Sequence, residues 1–222
     1  TIASGALLGQ TYGAKTFHLT IANGDEVTVE AYQDGDGSWF ASLQSPKTST
    51  KSVSDRTISE ACALFGIEAD ALDQRLPPRI INAGANHFLL GIRTRQRLST
   101  IGFSFDKVRA FQQSLGLATV CLVHAETNSL FHARNPFPIG GLYEDPATGA
   151  AAAALAGYLR EIDWSLPPTF EIIQGEDIGQ ASRIVVELSP KKGSSVKVSG
   201  RTSRIAEPLT FKEPFKTSGV SK

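Results

Sequence analysis

The chain has 222 residues, enough for one or two domains, and its 41% hydrophobic and 20% charged content is that of a soluble globular protein. Twenty-two basic residues balance twenty-two acidic ones, so no global field draws it to nucleic acid or to an anionic membrane. No basic run interleaved with aromatics, signal peptide or membrane span is read in the sequence, and Cys62 and Cys121, both in apolar surroundings, are expected to be reduced in a cytoplasmic protein.

Residues 1–9 are small, uncharged and helix-compatible. Strand-like runs follow at 16–21, 26–32 and 38–43, the first two joined by Asn23-Gly24, a hairpin-type turn. Within the connection 51–79, Ser54 or Asp55 caps a helix with Ile58, Ala61, Cys62 and Phe65 on its apolar face, and Pro77-Pro78 ends it. Strands are predicted at 79–82, 88–93, 119–125 and 130–134, interrupted by a helix over 105–114. Then comes Glu144-Asp145-Pro146-Ala147-Thr148-Gly149, followed by alanine at every position of 150–154 and by Leu155-Ala156-Gly157-Tyr158-Leu159. Residues 149–158 carry no charge. A helix without a polar face has to be buried all round, and this one is too short to cross a bilayer. Strands at 169–173, 183–188 and 195–198 follow, then an exposed tail after Ile205.

Laid over each other, 1–9 and 149–157 pair Ala3 with Ala151, Ala6 with Ala154, Leu7 with Leu155 and Gly9 with Gly157. Each segment is followed by a meander of strands. The pattern predicts a duplicated unit, a buried small-residue helix plus strands. Residues 79–147 precede the second helix and have no counterpart before the first, so the first unit is expected to be truncated at its N-terminus. The predicted division is 1–78 (remainder of the first domain plus linker), 79–205 (second domain) and 206–222 (tail).

Asp145-Pro146-Ala147-Thr148-Gly149-Ala150-Ala151 resembles the Asp-Pro-Ala-Thr-Gly-Ser-Ala signature of the PhzF-like phenazine-biosynthesis family. Phe131-His132-Ala133-Arg134, Gln174-Gly175-Glu176-Asp177-Ile178-Gly179, Ser182-Arg183-Ile184, and Gly84 with His87 are similar to neighbouring motifs of that family. The resemblance implies the diaminopimelate epimerase-like α+β fold, with two pseudo-symmetric domains, each a mainly antiparallel β-barrel around a central helix. It implies a cleft between them in which acid–base side chains move a proton on a small carboxylate-bearing substrate without a cofactor, often in a homodimer. Thr1 would follow the family's Gly-His-Ala motif, and that histidine and the principal acid–base glutamate would precede this sequence. The chain departs from the signature at Ala150, where the family has serine, so a hydroxyl donor to substrate is lost while the backbone N–H stays.

Asp145 reads either as a helix N-cap, with Pro146 at the first helical position, or as the catalytic carboxylate at the cleft. Gly149, Ala150 and Ala151 offer only their N–H groups, which at a helix start bind a carboxylate or a developing enolate. Arg134 and His132 share one strand face, from which Arg134 could reach a substrate carboxylate or pair with Asp145. His87 is expected to be a hydrogen-bonded structural histidine, and Glu176-Asp177 a solvated turn. No metal-ligand spacing, phosphate loop or Gly-x-Ser-x-Gly elbow is present. The reading is a cofactor-free isomerase with a small-molecule carboxylate as its partner. The alternatives are an amino- or hydroxy-acid epimerase, which in related enzymes uses paired cysteines, and a binding protein that has lost turnover, which Ala150 favours.

Overall fold

A computed structural model describes residues 2–20 and 26–202. The Asn23-Gly24 turn and the tail after Ile205 lie outside the described residues. Helix α1 (Ile2–Tyr12) leads into β1 (Lys15–Thr20), β2 (Glu26–Gln33) and β3 (Trp39–Gln44). Next come β4 (Ser49–Ser52), α2 (Asp55–Leu64), β5 (Arg79–Asn82), β6 (Asn86–Gly91), α3 (Arg95–Ser99), α4 (Phe105–Leu115), β7 (Thr119–Ala125) and β8 (Leu130–Pro136). The chain ends with β9 (Glu144–Asp145), α5 (Gly149–Glu161), β10 (Thr169–Gln174), β11 (Ser182–Leu188) and β12 (Val196–Thr202). Every strand and helix expected in the described part is present. Strand β4, the short helix α3 and the two-residue β9 were not expected; each is too short to show a hydrophobic period.

The strands form one mixed sheet in the order β1-β2-β3-β12-β11-β10-β8-β7-β6-β5-β4, with β9 added to β8. Pairing is antiparallel except for β6 with β7 and β8 with β10. The expected barrels are not closed among the described residues, since the end strands β1 and β4 do not pair. The reason lies in β12. One edge binds β11, and the other, which would be needed to close a barrel of the second half, pairs with β3 from Lys197↔Gln44 to Thr202↔Trp39. The two meanders are therefore fused. The start of the connection expected at 51–79 also belongs to this sheet, because β4 pairs with β5.

The sheet curls around α5, whose residues Ala151 to Arg160 are all buried. The burial expected for 149–158 is thus displaced: Gly149 is half-buried and Ala150 exposed, which leaves the helix start open to solvent. Alanines let the sheet close on every side, against Leu89, Phe131, Ile172, Val186 and Val198 among others. At Gly157 the approach is closest, since a Cβ there would lie 2.3 Å from Thr48 Cβ. Helix α1 is covered on one side only: Gly5, Ala6 and Gly9 are buried, but Leu7 and Tyr12 are exposed. Its expected all-round burial is not seen in the described residues. The opposite face of the sheet carries α2, α3 and α4 over a second core of Phe65, Phe88, Leu90, Leu98, Phe111 and Leu122. Ser54 caps α2 by accepting the Thr57 N–H, as the sequence predicts.

Three polar side chains sit deep beside this framework. The Thr119 hydroxyl donates to Asn135 Oδ1 (2.9 Å), so its oxygen takes the Nδ1–H of His87 at 2.7 Å. That tautomer leaves His87 Nε2 as a bare acceptor, and among the described residues neither it nor Asn135 Nδ2 has a partner. Burial alone pushes the His87 pKa down to about 4 from 6.5. The folded pKa lies below the unfolded one, so the unfolded chain takes the proton first as pH falls. The stability this group contributes is complete above pH 6.5 and is lost between 6.5 and 4. Urea unfolding is expected to show a loss of about 2 kcal/mol between pH 7 and pH 4.5 from this histidine. The His87→Gln variant should flatten that part of the profile, and an unchanged slope would refute the assignment.

Candidate active site

A hydrogen-bonded polar constellation stands at the exposed start of α5. Asp145 is set there by a two-residue ladder, with Asn135 opposite Asp145 and Pro136 opposite Glu144. The chain then crosses Pro146 and Ala147 to Thr148, the residue that precedes the first helical turn. Asp145 is therefore a strand residue and not the N-cap, and Pro146 lies ahead of the helix instead of at its first position. The proline fixes φ in the crossing segment, where a free donor is not needed.

The Asp145 carboxylate is held from its own loop. Oδ2 accepts the Thr148 hydroxyl at 2.8 Å, and Oδ1 accepts the Ala147 N–H at 3.4 Å, a long and weak bond. Gln174, at the end of β10, closes the loop from behind. Its Nε2 donates to the Asp145 carbonyl (2.6 Å) and to Thr148 Oγ1 (2.9 Å), and its Oε1 accepts the Thr148 N–H (3.2 Å). The sequence reading placed Gln174 in a motif similar to the family's but gave it no role at the site. The signal was the alternation Phe170, Ile172, Gln174, which puts a lone amide on the buried face of the strand.

Ala152 makes the first intrahelical bond, to the Thr148 carbonyl. Among the described residues nothing accepts a hydrogen bond from the N–H groups of Gly149, Ala150 or Ala151. These donors, at the positive end of the helix dipole, are suited to an anion. The start of α1 comes close by: a Cβ built on Gly149 would lie 3.9 Å from Ile2 Cδ1. The starts of the two small-residue helices thus lie near each other.

Arg134 is not at this place. Its side chain is 1% exposed and is bound by Glu144, with Nε to Oε2 at 3.1 Å and a second bond from Nη2 to Oε1. Its Nη1 donates to the carbonyls of Leu98 and Ile101, both at 2.8 Å. The expectations that Arg134 reaches substrate or pairs with Asp145 are corrected here: its donors are used inside the protein. It faces away from α5 because alternation along β8 puts Ala133 and Asn135 on the α5 side. The Glu176-Asp177 turn is likewise not simply solvated. Arg95 binds Asp177 at 2.8 Å and Glu176 at 3.2 Å, and His132 lies between Glu176 and Glu126. Among the described residues no group of three or more His, Cys, Asp and Glu is arranged for a metal ion.

The sequence is 36% identical over 95 residues to an uncharacterised isomerase of Mesorhizobium japonicum, covering 41% of this chain and 32% of that protein. It is 30% identical over 158 residues to the trans-2,3-dihydro-3-hydroxyanthranilate isomerase of Pseudomonas aeruginosa, covering 69% of this chain and 53% of that enzyme. The chain thus spans about half or less of the length of these relatives. Among solved structures, a predicted epimerase of Pseudomonas aeruginosa superimposes with a TM-score of 0.75 at 27% identity, over 94% of this chain and 73% of that one. The family match extends over residues 1–207, and the chain belongs to the phenazine biosynthesis-like protein family, PhzC-PhzF.

Proposed function

We propose that Asp145 and the start of α5 form one wall of a cofactor-independent isomerase site acting on a small carboxylate-bearing substrate. One observation carries the reading: the N–H groups of Gly149, Ala150 and Ala151, which have no acceptor among the described residues, stand at a helix start exposed at Ala150, beside a carboxylate whose direction is held by Thr148. The substrate carboxylate sits on these N–H groups. As a proton leaves the neighbouring carbon, charge spreads into that carboxylate, and the same donors stabilise it. Asp145 assists the transfer, and the principal acid–base group acts from the α1 side of the cleft. Ala150 contributes its N–H but no hydroxyl, so a substrate that depends on a serine contact is held less tightly. Two equivalent units, α1 with β1–β3 and α5 with β10–β12, are part of this proposal.

The epimerase alternative with thiolate bases is disfavoured by Cys121. This thiol lies under α5, and full burial pushes its pKa up to about 12, which keeps it protonated. The test is carbon-bound proton exchange. The full-length protein is incubated in deuterated water with trans-2,3-dihydro-3-hydroxyanthranilate and a panel of small carboxylates, and deuterium at carbon is followed by NMR. Incorporation is expected with at least one of them, and Asp145→Asn should slow it by about 100-fold or more. Equal rates for the variant and the parent protein would remove Asp145 from the mechanism, and no exchange with any compound would overturn the isomerase reading.

A further inference from the structure

We propose that Gln174 is the positioning residue of this site, acting through Thr148 to set the direction of the Asp145 carboxylate and to leave Oδ1 as the oxygen that meets substrate. The proposal rests on the isomerase reading only for its kinetic consequence. The hydrogen-bond chain has one solution. Gln174 Oε1 faces the Thr148 N–H, and Nε2 faces two oxygens, Asp145 O and Thr148 Oγ1. Reversing the amide would set oxygen against oxygen and N–H against N–H. Because Nε2 donates to Thr148 Oγ1, the single hydroxyl hydrogen of Thr148 is turned away from Gln174 and toward Asp145 Oδ2. Oδ2 is thereby occupied by a 2.8 Å bond, whereas among the described residues Oδ1 has only the 3.4 Å contact with the Ala147 N–H. One carboxylate oxygen is fastened and its twin is left available.

Packing alone gives no reason for an amide here. Phe170 and Ile172, on the same face of β10, are buried hydrophobic residues, and Gln174 is 1% exposed. A buried amide is costly unless every polar atom is matched, and all three of its bonds go to this one loop. A fourth residue makes the arrangement possible: Gly175, with φ +80°, lets the chain turn directly after Gln174 under Pro146. The signature loop and the end of β10 are thus one unit, although 26 positions of sequence separate Thr148 from Gln174.

The experiment compares Thr148→Val, Thr148→Ser and Gln174→Leu with the parent protein by high-resolution crystallography and by deuterium incorporation. In Thr148→Val and Gln174→Leu the Asp145 carboxylate is expected to rotate or to occupy two orientations, and in Thr148→Ser to keep one. With the substrate that exchanges best, Thr148→Val should lower kcat by about 10–100-fold with KM changed less than about twofold. Thr148→Ser should restore kcat to within about threefold. A purely structural role would lower the thermal midpoint and leave kcat per folded molecule unchanged. An Asp145 carboxylate that keeps its orientation in both Thr148→Val and Gln174→Leu overturns the proposal, and so does an unchanged kcat in an exchanging enzyme. If the parent protein exchanges nothing, the isomerase reading falls, and the orientation of Asp145 in the variants alone decides this one.

Discussion

Replacing Arg134 by methionine is expected to lower the unfolding free energy by about 3–5 kcal/mol. Both partners of the Arg134–Glu144 pair are out of water, with side chains 1% and 2% exposed. Two hydrogen bonds join them, and Nη1 binds the carbonyls of Leu98 and Ile101. Removing the arginine leaves a carboxylate in the interior with no counter-charge, which is the expensive outcome. Removing both charges is different. The double variant Arg134→Met, Glu144→Leu keeps the volume and takes away the stranded charge, and should recover at least half of the loss. Full recovery is not expected, since the carbonyls of Leu98 and Ile101 lose their donor, a deficit of about 1–3 kcal/mol for a buried group. Urea denaturation of the two variants decides the matter. If the single and double variants are equally unstable, the charge pair is not what holds this corner.

Because Glu144 immediately precedes Asp145, the same pair bears on the site. Pro136 and Asn135 pair with Glu144 and Asp145 in the β8–β9 ladder, and the ion pair fastens that ladder from the side away from α5. Two adjacent carboxylates are thus given opposite tasks by strand alternation: Glu144 is 4% exposed and neutralised, and Asp145 is half-buried and turned toward Thr148.

The elements were readable in the sequence wherever a period was long enough to see. The run of alanines at 150–154 announced a helix enclosed on all sides, and α5 has that environment from Ala151 to Arg160. The strand-like runs at 119–125 and 169–173 gave β7 and β10 almost to the residue. Closure of the sheet was a different matter. Nothing in the pattern of Val196, Val198 or Trp39 states that β12 pairs with β3 instead of completing a barrel, because pairing partners are chosen by tertiary contacts that a strand's own alternation does not encode. The site was half legible. The proximity of Asp145, Thr148 and Gly149 is local and was visible, but Gln174 and Glu144 entered only through register. Arg134 was misassigned because a basic residue on a strand shows its spacing and not its burial.

Gly175→Ala is the second large effect, expected to cost about 3 kcal/mol. Two contributions add. At φ +80° an alanine is forced into a left-handed conformation that L side chains rarely adopt, worth about 1–2 kcal/mol. The new Cβ would also lie 2.3 Å from the Gln180 carbonyl oxygen and 2.9 Å from that of Pro146, both backbone atoms, so relief requires the chain itself to move. Overpacking of this kind costs about 1–3 kcal/mol. Gly179 supplies the control. Its φ is +74°, but a Cβ there meets nothing within 4 Å, so Gly179→Ala should show the conformational part alone, about 1–2 kcal/mol. The difference between the two variants in urea denaturation measures the crowding at Gly175, and equal losses would show that no such crowding exists. Movement at Pro146 would also displace Asp145, the residue before it, so Gly175→Ala should lose exchange activity that Gly179→Ala keeps. The close approach of the two backbones is what ties the end of β10 to the signature loop, and only a residue without a side chain permits it.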